Sequence, residues 1–184
     1  AFSDCDKVKE ITKLGQCEVI GESAFSGCSQ LEGEIDLSQC KSIENKAFFK
    51  CTNLKKVDLS QCKSIGNLVF SDCTNLVETT NLDKCEIIGN DAFHNCSSLK
   101  QVDLSQCKKI GYNAFYNCKE LININNLNQC ETMGHEAFCF CSKLEGEIGL
   151  SNCKEVPYQA FVECKKITKV DLSNCKRIGA FSFN

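Results

Sequence analysis

The chain has 184 residues, 42% of them hydrophobic and 24% charged, with a formal net charge of -3. That composition excludes a disordered polymer, and no run approaches the about 20 apolar residues of a membrane span, so no direct membrane insertion is expected. The small negative charge excludes a general phosphate-binding surface, which needs concentrated Lys and Arg, and nucleic acid is not an expected partner.

The first ten residues, AFSDCDKVKE, are already repeat sequence rather than a basic and apolar leader. Aligned on an Ala-Phe pair, copies start at Ala1, Ala24, Ala47, Val69, Ala92, Ala114, Ala137 and Ala160, and Ser182 with Phe183 opens a ninth, at spacings of 22 or 23 residues. A period this regular predicts a solenoid, in which each coil buries its apolar side only against its neighbours. Residues 1–184 are therefore expected to form a single array of about eight coils. Because the chain begins without Met in mid-pattern, ends as a new copy opens and shows no polar cap, it reads as an uncapped fragment of a longer protein.

Within a copy the apolar letters are themselves periodic. Leu54, Val57, Leu59 and Cys62 give L-x-x-L-x-L-x-x-C, and the alternation of Val57 and Leu59 predicts one short strand per coil, stacked into a parallel sheet on the inner face. Ile65-Gly66 marks a turn where glycine suits a sharp change of backbone direction. A short helical or 3₁₀ segment carrying Phe70 is expected to return along the outer face. Long copies carry their extra residue between the first Leu and the strand, as in LEGEIDLSQC at Leu31, which predicts a bulge at the strand entry. LEGEIGLSNC recurs at Leu144, 113 residues on, which points to duplication of a five-coil block.

The signature I-G-x-x-A-F-x-x-C-x-x-L, seen as IGNDAFHNCSSL from Ile88 and IGYNAFYNCKEL from Ile110, resembles the BspA-like leucine-rich repeats of anaerobic bacteria and parasitic protists. One departure is the L-S-x-C step, as in Leu104 to Cys107, where the bacterial members usually have Leu-Pro; that step is similar to the cysteine-containing repeats of intracellular F-box proteins. The first resemblance implies an α/β leucine-rich repeat solenoid, with parallel strands on a concave face and short helical or 3₁₀ segments on a convex one. It also implies a surface-exposed, non-enzymatic adhesion array that binds host or matrix proteins. The second implies an intracellular protein-recognition scaffold.

Sixteen of the seventeen cysteines fall into two columns of eight, represented by Cys5, Cys28, Cys51 and by Cys17, Cys40, Cys62. Within a coil the two columns flank an extended segment of about eleven residues, well over 20 Å long, which excludes a disulfide across it. Their expected role is that of small buried hydrophobes with weak S–H donors, and free thiols on this scale fit a reducing compartment. No metal or other cofactor is expected, since the only close pair is Cys139 with Cys141. Cys139, in the column of Ser26, Phe49 and His94, should be partly exposed and is the best candidate for a reactive thiol.

Nine phenylalanines share one column, read as a buried spine. His94 and His135 lie in different coils and columns, read as solvated residues, and no catalytic group is expected. Partner binding is assigned to the outward strand column, Asp36, Asp58, Asn81, Asp103, Asn126 and Asp171, with Lys56 and Gln101 beside it. That face is polar and free of the Trp, Tyr and Arg that usually dominate hot spots. Binding is therefore either weak and multivalent along the array or displaced to the outer edge.

Overall fold

The computed structural model describes residues 1–125 and 127–184. The alternation around Val57 becomes the strand Leu54–Asp58, in which Leu54 and Val57 are buried and Lys55 is exposed. It pairs in parallel with Gly33–Asp36 on one side and Glu78–Thr80 on the other. The same face continues as single bridges from Glu78 to Gln101 to Asn123, then as the paired strands Glu145–Gly149 and Lys166–Asp171. Two of the long copies absorb their extra residue as expected. Register shifts fall at Gly33/Glu34 and Gly146/Glu147, and the two glycines sit at φ 85° and 87° with open space where a Cβ would go. Glycine is required there for the backbone angle.

A second strand on the return leg was not anticipated. Val19–Ile20, Ser42–Ile43, Ser64–Ile65, Ile87–Ile88, Lys109–Ile110 and Thr132–Met133 stack into one six-stranded parallel sheet, and Glu155–Val156 pairs with Arg177–Ile178. The fold is a β-solenoid with parallel strands and almost no helix, which corrects the α/β expectation. Among the described residues there is no α-helix, and the two 3₁₀ turns, Leu14–Gln16 and Leu82–Lys84, lie just before the short strand rather than on the leg that carries the phenylalanines.

The reason lies in the backbone around each Ala-Phe pair. The residue before the Ala is left-handed in coil after coil, from Ser23, Lys46 and Leu68 to Phe181, and so is the residue before the first cysteine, from Asp4 and Lys50 to Glu163. Two left-handed residues four positions apart cannot belong to a right-handed helix. Donors along this leg alternate instead. Lys46, Phe48 and Lys50 give their N–H groups to Asn67, Val69 and Ser71 of the next coil, whereas Ala47, Phe49 and Cys51 close i−3 turns within their own coil. A helix would have kept all of them internal.

Packing follows from this ladder. Nine phenylalanines, Phe2 to Phe183, form one stack with ring centroids 5.1–5.7 Å apart and planes within 21°. Each inner ring is fully buried and contributes about 2 kcal/mol. The glycine after the short strand answers crowding rather than the sharp turn expected of it. A Cβ at Gly134 would lie 2.3 Å from the Tyr112 nitrogen, and one at Gly111 would lie 2.5 Å from the Asn90 nitrogen. Among the described residues no helix is long and apolar enough to cross a membrane.

Candidate functional site

The residues assigned to partner binding form a row along the exit of the long strands, one coil apart, rather than a cluster. Asp36 and Asp58 are direct neighbours in the ladder, but Asp58 pairs with Thr80, so Asn81 sits one step beyond the row in a left-handed conformation. Asp171 pairs with Gly149 at the far end. Lys56 reaches back to Glu34 at 3.5 Å. Gln101 is exposed at the point where the sheet thins to single bridges, beside a shallow groove of about 270 Å³ that Glu78, Asn81, Asp103 and Asn125 also line. Asn126 lies outside the described residues.

The carboxylates of this row have a local occupation. Asp36, Asp103 and Asp171 each accept the backbone N–H of the serine two residues on, at 2.9–3.0 Å, and Asp58 does the same for Ser60. Ser60 and Ser173 add their hydroxyls to the same oxygens. These are Asx turns that fold the chain out of the strand, and they explain the recurring D-L-S. Asn81 bonds the Ser60 hydroxyl at 2.9 Å, and Asn125 gives its amide to Asp103 at 2.5 Å. The serine bonds hold Asp36 and Asp171 below the usual carboxylate range. At Asp103 burial pulls upward, and the bonds from Ser105 and Asn125 together outweigh it.

The thiols are equally occupied. Cys51, Cys73, Cys96 and Cys118 each donate to the carbonyl of the phenylalanine in the preceding coil, Phe25, Phe48, Phe70 and Phe93, at 3.1–3.2 Å. In the second column, Cys40, Cys62 and Cys153 donate to the carbonyl two residues on, at 3.0–3.3 Å. Cysteine here is a small apolar residue carrying one weak donor, and in the first column it gives a second bond to a phenylalanine carbonyl that already closes an i−3 turn. Cys139 is 2% exposed, not partly exposed as expected. Burial, reinforced by Glu136, Cys141 and Glu163, pushes its thiol up to about 11, which disfavours the thiolate that a reactive centre needs. The same column carries Tyr116, whose ring meets that of Phe140 at 5.4 Å.

Those rings belong to a feature that lies outside the strand columns. At the position after the glycine, Asn45, Asn67 and Asn90 each accept the N–H of the same position one coil on, at 2.8–3.0 Å, so the last bond ends on Tyr112. From Tyr112 the column turns aromatic. Tyr112 stacks on His135 at 5.4 Å, His135 meets Tyr158 edge to face at 6.0 Å, and Tyr158 meets Phe181, one residue past the column position of the last coil, likewise at 6.1 Å. A second row stands just beyond the Phe spine, with His94 stacked on Tyr116 at 5.1 Å and Tyr116 edge to face with Phe140. Both histidines, expected to be merely solvated, are rungs of these rows. Tyr112, Phe140, Tyr158 and Phe181 are 51%, 38%, 40% and 59% exposed. The signal was legible in the sequence as the column Tyr112, His135, Tyr158.

The profile described as a BspA type leucine rich repeat region matches residues 1–106 and 63–184, in six copies. The chain is similar to the crystal structure of a leucine-rich repeat protein from Bacteroides ovatus, with 28% identity and a TM-score of 0.77 over 89% of this chain and 43% of that one. The chain thus spans less than half the length of that protein. It also shares its fold with the T. pallidum leucine rich repeat protein, at 24% identity and a TM-score of 0.71, covering 83% of this chain and 78% of that one. No curated protein matches it.

Proposed function

Since the chain belongs to the BspA-type leucine-rich repeat family, we propose that it is a non-enzymatic protein-recognition array acting in adhesion at a cell surface, with a host or matrix protein as its ligand. The observation that carries this reading is the pair of exposed aromatic rows on an otherwise self-satisfied scaffold. The strand-row aspartates and most of the thiols are engaged internally, while Tyr112, Tyr158 and Phe181 spend their area on solvent and on neighbouring rings. Tyr is among the residue types that dominate protein interfaces, and a rigid scaffold presents it at low entropic cost. The strand row of Asp36, Asp58, Asn81, Asp103, Asn126, Asp171, Lys56 and Gln101 would then contribute polar contacts repeated along the array. The test is saturable binding of the purified chain to immobilised extracellular-matrix proteins, together with antibody labelling of intact cells. Absence of both sinks the reading.

A second reading, an intracellular recognition scaffold, is favoured by the seventeen free thiols, most of them buried. Chains of that kind are at home in a reducing compartment. Labelling only after permeabilisation, with retained protein binding, would select it.

A further inference from the structure

We propose that the aromatic turn edge of the second half, centred on Glu136, Phe140 and Tyr158, docks an arginine-bearing segment of a partner protein. This deepens the protein-recognition reading above and rests on it.

Ring geometry comes first. Stacked rungs hide their faces against one another, as at His94 with Tyr116 and Tyr112 with His135. From Phe140 and Tyr158 onward the contacts turn edge to face, at interplanar angles of 82°, 70° and 81°. In such a contact the ring that offers its edge keeps both π faces open, and open faces attract cations.

Charge points the same way. The turn segments 112–117, 135–140 and 158–163 contain neither Lys nor Arg, and of their two glutamates Glu163 is paired with Lys165 at 2.6 Å, which leaves Glu136 as the carboxylate of this edge. The Glu136 carboxylate stands close enough to act on both Tyr116 and Cys139. A planar guanidinium suits this mixture, since it can lie on a ring face and bond a carboxylate at once.

The first half of the array supplies an internal precedent. There the corresponding edge holds its own cation, with Lys50 Nζ 5.0 Å from the centre of the Phe49 ring. In the coils of Tyr116 and Phe140 the position of Lys50 is taken by Asn117 and by Phe140 itself. At Tyr116 the ring is kept and the cation is missing, and in the next coil Cys139 takes the ring position while Phe140 stands where the cation was, so the partner would bring it.

The test uses the intact chain and a fluorescently labelled Gly-Arg repeat peptide followed by anisotropy, with a Gly-Glu peptide as the opposite-charge control. The proposal expects saturable binding of the Arg peptide alone, weakened about fivefold or more by Glu136→Gln, Phe140→Ser and Tyr158→Ser, and unchanged by Glu32→Gln, an exposed carboxylate of the first half. Far-UV circular dichroism and unchanged thiol protection establish that each variant folds. Lack of saturable binding overturns the proposal, as does equal binding by the Glu peptide or indifference to all three edge substitutions. If the edge variants still bind an immobilised matrix protein as the parent does, the surface is wrong and protein recognition survives. If the parent binds no protein, the broader reading fails.

Discussion

Asn45, Asn67 and Asn90 spend their side-chain oxygens on the backbone of the following coil, whereas Tyr112, His135 and Tyr158, at the same position in the next three coils, spend their rings on one another. The backbone hardly distinguishes the two halves: the short strand, the left-handed residue and the buried Ala-Phe recur in both. What differs is whether the side chain closes the array or furnishes a surface. A coil thus tolerates either, because its stability comes from the Phe stack and the inter-coil bonds beneath.

If that is so, the largest losses should be indifferent to which half is struck. Phe48→Ala and Phe138→Ala are each expected to cost about 3 to 5 kcal/mol in urea unfolding, and a large disparity would show that the spine is not shared. Asn67→Ala should cost about 1 kcal/mol, because the Asn90 N–H loses its acceptor, and should leave ligand binding untouched. Acid should treat the two halves alike. Asp36 and Asp171, at opposite ends, are both held below the usual carboxylate range in the folded chain. Their contribution is complete above the unfolded value of about 4 and disappears as pH falls through the folded values, so the melting temperature should be level from pH 7 to about 5 and decline below about 4. Smallest in stability is Tyr158→Ser, expected within about 0.5 kcal/mol because the ring is substantially exposed, yet it should weaken binding.

Much of the interior was legible from the letters alone. Period, Phe column, cysteine columns and the bulges at Gly33 and Gly146 all follow from side-chain size and alternation, and all are present. The return leg was not, for a physical reason. Its left-handed positions are filled mostly by Asn, Asp, Lys, Glu, Gln, Leu and Phe rather than glycine, so the usual marker of positive φ was missing. Asp4, Asp72, Asn95 and Asn117 before the first cysteine were the available clue, since Asn and Asp tolerate that conformation best. Asn95 also bonds Asp72 at 2.8 Å and Asn117 bonds Asn95 at 2.7 Å, a ladder that no single copy announces. The strand row was legible only as a display of side chains, not as the turn it also closes. D-L-S looked like a display of carboxylates, and its Ser partners show it to be a fastening.

The inter-coil hydrogen bonds of the return leg also set how the molecule would respond to being pulled. Successive coils are spaced by roughly the 4.7–4.9 Å of neighbouring strands. Each contains 22 or 23 residues, so a coil that peels away would release about 75 Å of chain at about 3.3–3.6 Å per residue. Because a coil is held only by the one before and the one after, tension applied at an end would free coils in sequence, each lengthening the tether about fifteenfold over its folded rise. An array of this kind can hold a load by growing longer while the coils still stacked keep their grip.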